Sequence, residues 1–302
     1  MRPIIAAASA LLFVDASAPP AERIVSGDGV VAVKINGAPG RLRIDPAAPG
    51  LLLMAPDYAA RAGLKGGGLL GFGVEYAIGT ERVFGRTQVT RIDWGQTAGN
   101  NRVGWTPKPY AEGADATIGP AGVPEPVVRF DLHLPRDGER AITLPMTGNG
   151  LFGGWVGSTA TLDIGGEPLR VGFDPRQPRS IANAGAGKRL AALFGGSLSG
   201  PATPAIIAFG IARPVRTLTL ERPFPIGHLR LSALAVRVAD GGGASSIPEA
   251  DAPKGDPDEV VVIAKGRHDP KRDRLTLGAD ILSACSSILF DKPAERVRLS
   301  CS

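Results

Sequence analysis

The sequence predicts an all-β protein of two similar lobes around a central cleft, with short helices. Three observations lead there. Short Val/Ile/Leu runs alternate with polar residues and are punctuated by 41 Gly and 27 Pro in 302 residues, a density of turns that suits strands better than long helices. Residues 33–46 align without gaps to residues 162–175. Later blocks then recur in the same order in both halves.

Each copy of the repeat holds an alternating strand, a tight turn at Asn36-Gly37 or Gly165-Gly166, and a second strand that ends in Asp45-Pro46 or Asp174-Pro175. Asn-Gly and Gly-Gly between alternating runs are hairpin signals, because both residues of the favoured turn need positive φ. Beyond the Asp, residues 56–64 predict a helix of one or two turns stopped by Gly63, and 187–193 supply its counterpart. Ile118-Gly119 followed by strands at 127–131 and 141–144 matches Leu277-Gly278 followed by 288–291 and 297–299. The lobes are therefore expected at 25–150 and 155–302, joined by 146–155. Further strands are expected at 83–92, 215–220, 228–238 and 260–264. Residues 240–258, rich in Gly, Pro and acids without periodicity, read as a loop with solvated carboxylates.

A composition of 43% apolar and 21% charged residues fits a globular chain with a core. The net charge of +5 comes without any Lys/Arg-rich run interleaved with aromatics, which argues against nucleic acid as a partner. At the start, Arg2 precedes an apolar run over 4–14 and then Ala16-Ser17-Ala18, a small-x-small cleavage site. Residues 1–18 thus read as a secretory signal peptide, too short to span a bilayer. They predict a periplasmic or secreted protein with no integral membrane span after removal. In such a compartment Cys285 and Cys301 would close a disulfide loop of about 16 residues.

Several chemistries lack their residues. His133, His228 and His268 share no spacing, so no metal site or cofactor is expected. No Gly-x-Ser-x-Gly elbow is present for a serine hydrolase. The Gly-rich segment 66–79 lacks the strand-loop-helix setting of a phosphate loop. Trp94, Trp105 and Trp155 read as core or interlobe packing.

A hairpin ending in Asp, a short helix, an apolar-apolar-Gly strand and a Phe-Asp strand, all twice over, resemble the lobes of retropepsin-like and pepsin-like aspartic peptidases. The resemblance covers most of the mature chain. It implies two acid-protease-type β-barrel lobes, with Asp45 and Asp174 as the catalytic dyad. Two such carboxylates share one proton because like charges so close cannot both ionise. It places Ile118-Gly119 and Leu277-Gly278 beneath the two Asp loops, and makes 66–79 a flap whose Tyr76 and Gly73 touch substrate. It also implies a peptide or protein substrate, and a monomer, since one chain supplies both lobes.

The loops depart from the family's Asp-Thr/Ser-Gly. Here they read Asp45-Pro46-Ala47 and Asp174-Pro175-Arg176. Pro brings neither a hydroxyl nor an N–H, and Ala47 and Arg176 lack glycine's backbone freedom. An inward-pointing Arg176 would favour the charged form of both carboxylates and oppose a shared proton. Two functions are thus expected from the resemblance. One is an aspartic endopeptidase; the other is a catalytically inactive homologue that binds extended peptides in the same cleft at the cell envelope. A purely structural envelope module is a third.

Overall fold

The computed structural model describes residues 21–66, 71–147, 157–240, 243–251 and 269–302. The expected signal peptide, the strand at 260–264, Trp155, His268 and most of the joining segment 146–155 lie outside the described residues.

In the first half, the strands run in chain order as β1 (Glu22–Val25), β2 (Val30–Ile35), β3 (Ala38–Ile44), β4 (Leu52–Met54), β5 (Gly73–Ile78), β6 (Glu81–Asp93), β7 (Ala98–Trp105), β8 (Ala116–Ile118), β9 (Val127–Asp131) and β10 (Arg140–Thr147). Helix α1 (Pro56–Arg61) follows β4. The second half holds β11 (Thr159–Ile164), β12 (Glu167–Phe173), β13 (Ile181–Ala182), β14 (Ser197–Ala208), β15 (Ile211–Ile226), β16 (Leu229–Arg237), β17 (Arg274–Leu277), β18 (Cys285–Asp291) and β19 (Arg296–Cys301). Its helices are α2 (Ala184–Phe194) after β13 and α3 (Ala279–Leu282) after β17. The fold is all-β and two-lobed.

The two halves repeat one strand order. In the first, a seven-stranded sheet runs β2-β3-β8-β4-β7-β6-β5. In the second, β11-β12-β17-β13-β16-β15-β14 form one end of a twelve-stranded sheet. Registers agree as well. Ile44 sits beside Ile118 in the parallel β3–β8 pair, and Phe173 beside Leu277 in the parallel β12–β17 pair. The first sheet closes on itself through Lys34↔Asp93 and Ile35↔Ile92, whereas β11 is bonded to β10 instead.

The rest of the twelve-stranded sheet joins the halves in the order β1-β9-β18-β19-β10. Here β9 and β18 are equivalent strands, with Phe130-Asp131 matching Phe290-Asp291. Ser287 pairs with Asp131 and Asp291 with Val127, so exchanging the halves returns the same register. The pseudo-twofold axis passes between Arg129 and Leu289, which face each other. One continuous buried core covers both halves, from Ile35 and Leu42 through Phe130 and Phe290 to Phe173 and Leu234. Trp94 and Trp105 pack against it at its margin.

The two turns of the repeat obey local chemistry. Asn36 and Gly37 have φ of 50° and 81°, and Gly165 and Gly166 have 65° and 82°, the left-handed geometry that a two-residue hairpin turn requires. Helix α1 starts with Pro56 in its first turn and is followed by Gly63 at φ 67°.

Two expectations need correction. The hairpin expected over 66–79 is β5–β6: its first strand lies inside that range, but it turns at Gly79-Thr80, so its second strand runs beyond it. Glycines 66–68 attracted the turn reading, but the alternating runs that pair lie on either side of Gly79. Among the described acids of 240–258, Asp240 is not solvated: it is 6% exposed and ion-paired to Arg213 and Arg237, whereas Glu249 and Asp251, paired with Arg216, stay about half exposed. Arg213 comes from β15, which the local composition of 240–258 does not reveal, and Arg237 ends β16 just before it.

Cys285 and Cys301 are disulfide-bonded, opposite each other on β18 and β19. Replacing both with Ser is expected to cost about 2 kcal/mol, below the simple loop-entropy value, as measured disulfide contributions commonly are. Denaturant titrations of the oxidised protein and the double variant check this. Coincident midpoints would show the bond to be energetically idle.

Candidate functional site

The two Asp-Pro loops are built alike. Asp45 donates its N–H to the Ile118 carbonyl at 2.9 Å, and Asp174 donates to the Leu277 carbonyl at 2.9 Å. Each Asp carbonyl accepts an N–H from three residues on, Ala48 or Gln177, at 3.1 Å. Each carboxylate accepts from the N–H two residues on: Ala47 to Asp45 Oδ1 at 2.9 Å, and Arg176 to Asp174 Oδ1 at 3.1 Å. Asp at the first position and Pro at the second favour this turn, because Pro presets φ and needs no donor there. The loops are thus held in part by the carboxylates themselves.

Glycine beneath each loop is demanded by close approach. A Cβ on Gly119 would lie 2.0 Å from the Ala48 carbonyl oxygen, and one on Gly278 would lie 2.5 Å from the Arg179 carbonyl carbon. Gly119 donates to the Pro49 carbonyl at 2.7 Å, and Gly278 donates to Ser180 Oγ at 3.1 Å. The apolar-Gly strands therefore underlie both Asp loops.

Arg176 joins the two carboxylates. Its Nη2 donates to Asp45 Oδ2, and its Nε lies 3.8 Å from Asp174 Oδ1. The Asp45 side chain is wholly buried and that of Asp174 is 14% exposed, whereas Arg176 is 45% exposed. Burial, and then the Asp45 charge, push the Asp174 carboxyl above the usual carboxylate range, while Arg176 and the loop N–H groups pull against them. Both Asp45 oxygens already accept a hydrogen bond, one from Ala47 and one from Arg176. A carboxylate engaged in this way is poorly placed to take a proton from water.

Aromatic residues wall the site. Tyr110 donates its hydroxyl to the Ala47 carbonyl at 2.9 Å, and burial together with the Asp45 charge pushes its phenol upward. Phe209, at the β14–β15 turn, packs 5.2 Å edge-on to Tyr110 and 5.1 Å from Tyr76. Tyr76 on β5 is pushed up to about 12 by burial. Gly73, by contrast, lies exposed at the base of the β5–β6 hairpin, paired with Arg86 and far along the strand from the tip. Sequence reasoning passed over Tyr110 and Phe209. The only signal for Phe209 was a Phe-Gly pair between two apolar runs.

The other side chains considered are dispersed. His133 lies near the Leu134 and Ser283 carbonyls and His228 near that of Cys301, and no group of metal-ligating residues occurs among those described. No helix among the described residues is long and apolar enough to cross a membrane. An apolar pocket of about 320 Å³ between the β11–β12 turn, α2 and β15, lined by Leu162, Leu193, Phe194 and Phe224, includes none of the dyad residues. No protein-family model matches the chain, and no curated protein matches it either.

Proposed function

We propose that this chain is an aspartic-peptidase-like protein of the periplasm or cell exterior that holds extended peptide between its lobes without cutting it. The observation that supports the reading is Arg176, whose guanidinium is ion-paired to Asp45 and lies within 3.8 Å of Asp174, which favours two charged carboxylates over a shared proton. Strands β5 and β14 each end a sheet, and such edges, apart from the Leu198–Gly200 stretch bonded to 248–251, offer backbone groups to an extended chain. The leader-like residues 1–18 and the Cys285–Cys301 bond fit an oxidising compartment outside the cytoplasm.

One observation favours a second reading, hydrolysis by the Asp45/Asp174 dyad. The raised Asp174 carboxyl beside an ion-paired Asp45 is the asymmetry that an acid-base pair uses. Incubating the mature chain with a mixed peptide pool between pH 3 and 7 separates the two. We expect no new termini, and peptide capture by Asp45→Asn within about twofold of wild type, roughly 0.4 kcal/mol. Cleavage that disappears in Asp45→Asn would establish the peptidase instead. The absence of any peptide binding would remove the holding role.

A further inference from the structure

We propose that the β14–β15 hairpin is an internal competitor for the peptide groove: Phe209 fills a nest built for an aromatic side chain of the ligand, and ligand binding withdraws it. This rests on the peptide-holding reading and adds a ligand class and a control to it.

The turn itself breaks a local rule. Ala208 pairs with Ile211, leaving Phe209-Gly210 as a two-residue turn with φ of 54° and 67°. That geometry favours Asn, Asp or Gly at its first position. The Asn36-Gly37 and Gly165-Gly166 turns comply, while Phe209 holds a left-handed φ that bulky residues avoid. Strain of this kind persists only where other contacts fix it, and it concentrates at clamps and switches.

The contacts that fix it belong to the other half. Phe209 is 1% exposed although it sits at a hairpin tip, and it packs with Leu51, Leu53, Val83, Tyr76 and Tyr110. Its N–H donates to the Tyr110 carbonyl at 3.0 Å, the kind of backbone bond an extended peptide would make there. The nest adjoins the dyad, since Tyr110 also holds the Ala47 carbonyl. Gln177, from the Asp174 loop, donates to the Ile206 carbonyl on the same hairpin.

β14 is an edge strand with register irregularities at 199–203 and 206–208, and Ile206 is 62% exposed. The tip and the residues beside it, Ala208 and Ile211, make its contact with the apolar cluster of the first half.

The test uses two labelled peptides that are identical except for a central Phe or Ala, measured by fluorescence anisotropy against wild type and Phe209→Ala. We expect Phe209→Ala to bind the Phe peptide about tenfold more tightly and the Ala peptide unchanged. Hydrogen exchange on the wild-type chain, which does not depend on the variant folding, should show the Phe209 amide losing protection when the Phe peptide binds. If peptides bind but Phe209→Ala shifts both equally, or if the Phe209 amide stays protected in the complex, the competitor is overturned and the holding role stands. If neither peptide binds either protein, both fall.

Discussion

Replacing Phe290 with Ala is expected to lower the unfolding free energy by about 4 kcal/mol, within the usual range for deleting a buried phenyl ring. Phe290 is fully buried on β18, the strand that crosses from one half to the other. Its ring meets its symmetry mate Phe130 edge-on at 5.8 Å and Phe173 at 5.9 Å. Phe173 is the residue before Asp174, so the cavity would open directly behind one dyad loop. Edge-on aromatic pairs contribute beyond their buried area, and this ring makes two of them. Phe290→Leu keeps most of the volume and should cost about 1.5 kcal/mol. In denaturant, the Ala variant should unfold at a lower midpoint with the same slope, since the halves share one core. A loss under about 2 kcal/mol, or two separate transitions, would mean that Phe290 does not tie the halves together.

What the sequence revealed was local, and what it hid was not. Asn36-Gly37 and Gly165-Gly166 announced the hairpins because positive φ is a property of single residues. Ile118-Gly119 and Leu277-Gly278 were legible because the repeat brought each into the same place after its Asp. The junction is different. The pairing of β9 with β18 and of β19 with β10 joins residues far apart in the chain, and no local pattern states that register. Asp240 looked like a loop acid because Arg213, which binds it with its near neighbour Arg237, lies 27 residues earlier on β15. Phe209 was missed for a related reason. A Phe in a turn is an ordinary exposed residue until a second lobe covers it. Arg176 was visible as a departure from the Asp-Thr/Ser-Gly pattern, but its direction was fixed only when Asp45 appeared across the groove.

Arg176→Ala is expected to destabilise the chain by about 3 kcal/mol at pH 7. This is the low end for breaking a buried pair, discounted because the guanidinium is partly in water. The asymmetry of exposure sets the size. Asp45 is 0% exposed and Arg176 is 45% exposed, so losing the Arg strands a buried carboxylate, whereas losing the Asp leaves a cation that can turn to solvent. Asp45→Asn should accordingly cost only about 1 kcal/mol. The loss in Arg176→Ala should shrink on acidification. Without the Arg176 charge that pulls it down, the Asp174 carboxyl would be raised further above its unfolded value, so the folded state binds more protons in that window and stability rises as pH falls. Wild-type Asp174 already has this sign. Its carboxyl is raised above the ordinary 3.8, so its unfavourable contribution at neutral pH fades as pH drops through the raised value, and both states are protonated below 3.8. Thermal melts of wild type, Arg176→Ala and Asp45→Asn from pH 4 to 8 would show the pattern. If Arg176→Ala loses as much at pH 4 as at pH 7, or less than Asp45→Asn does, the guanidinium is not what neutralises the pair. The same titration bears on chemistry. Any acid-favoured cleavage gained by Arg176→Ala and lost again in Arg176→Ala/Asp45→Asn would identify Arg176 as the residue that keeps the two carboxyls from acting on peptide.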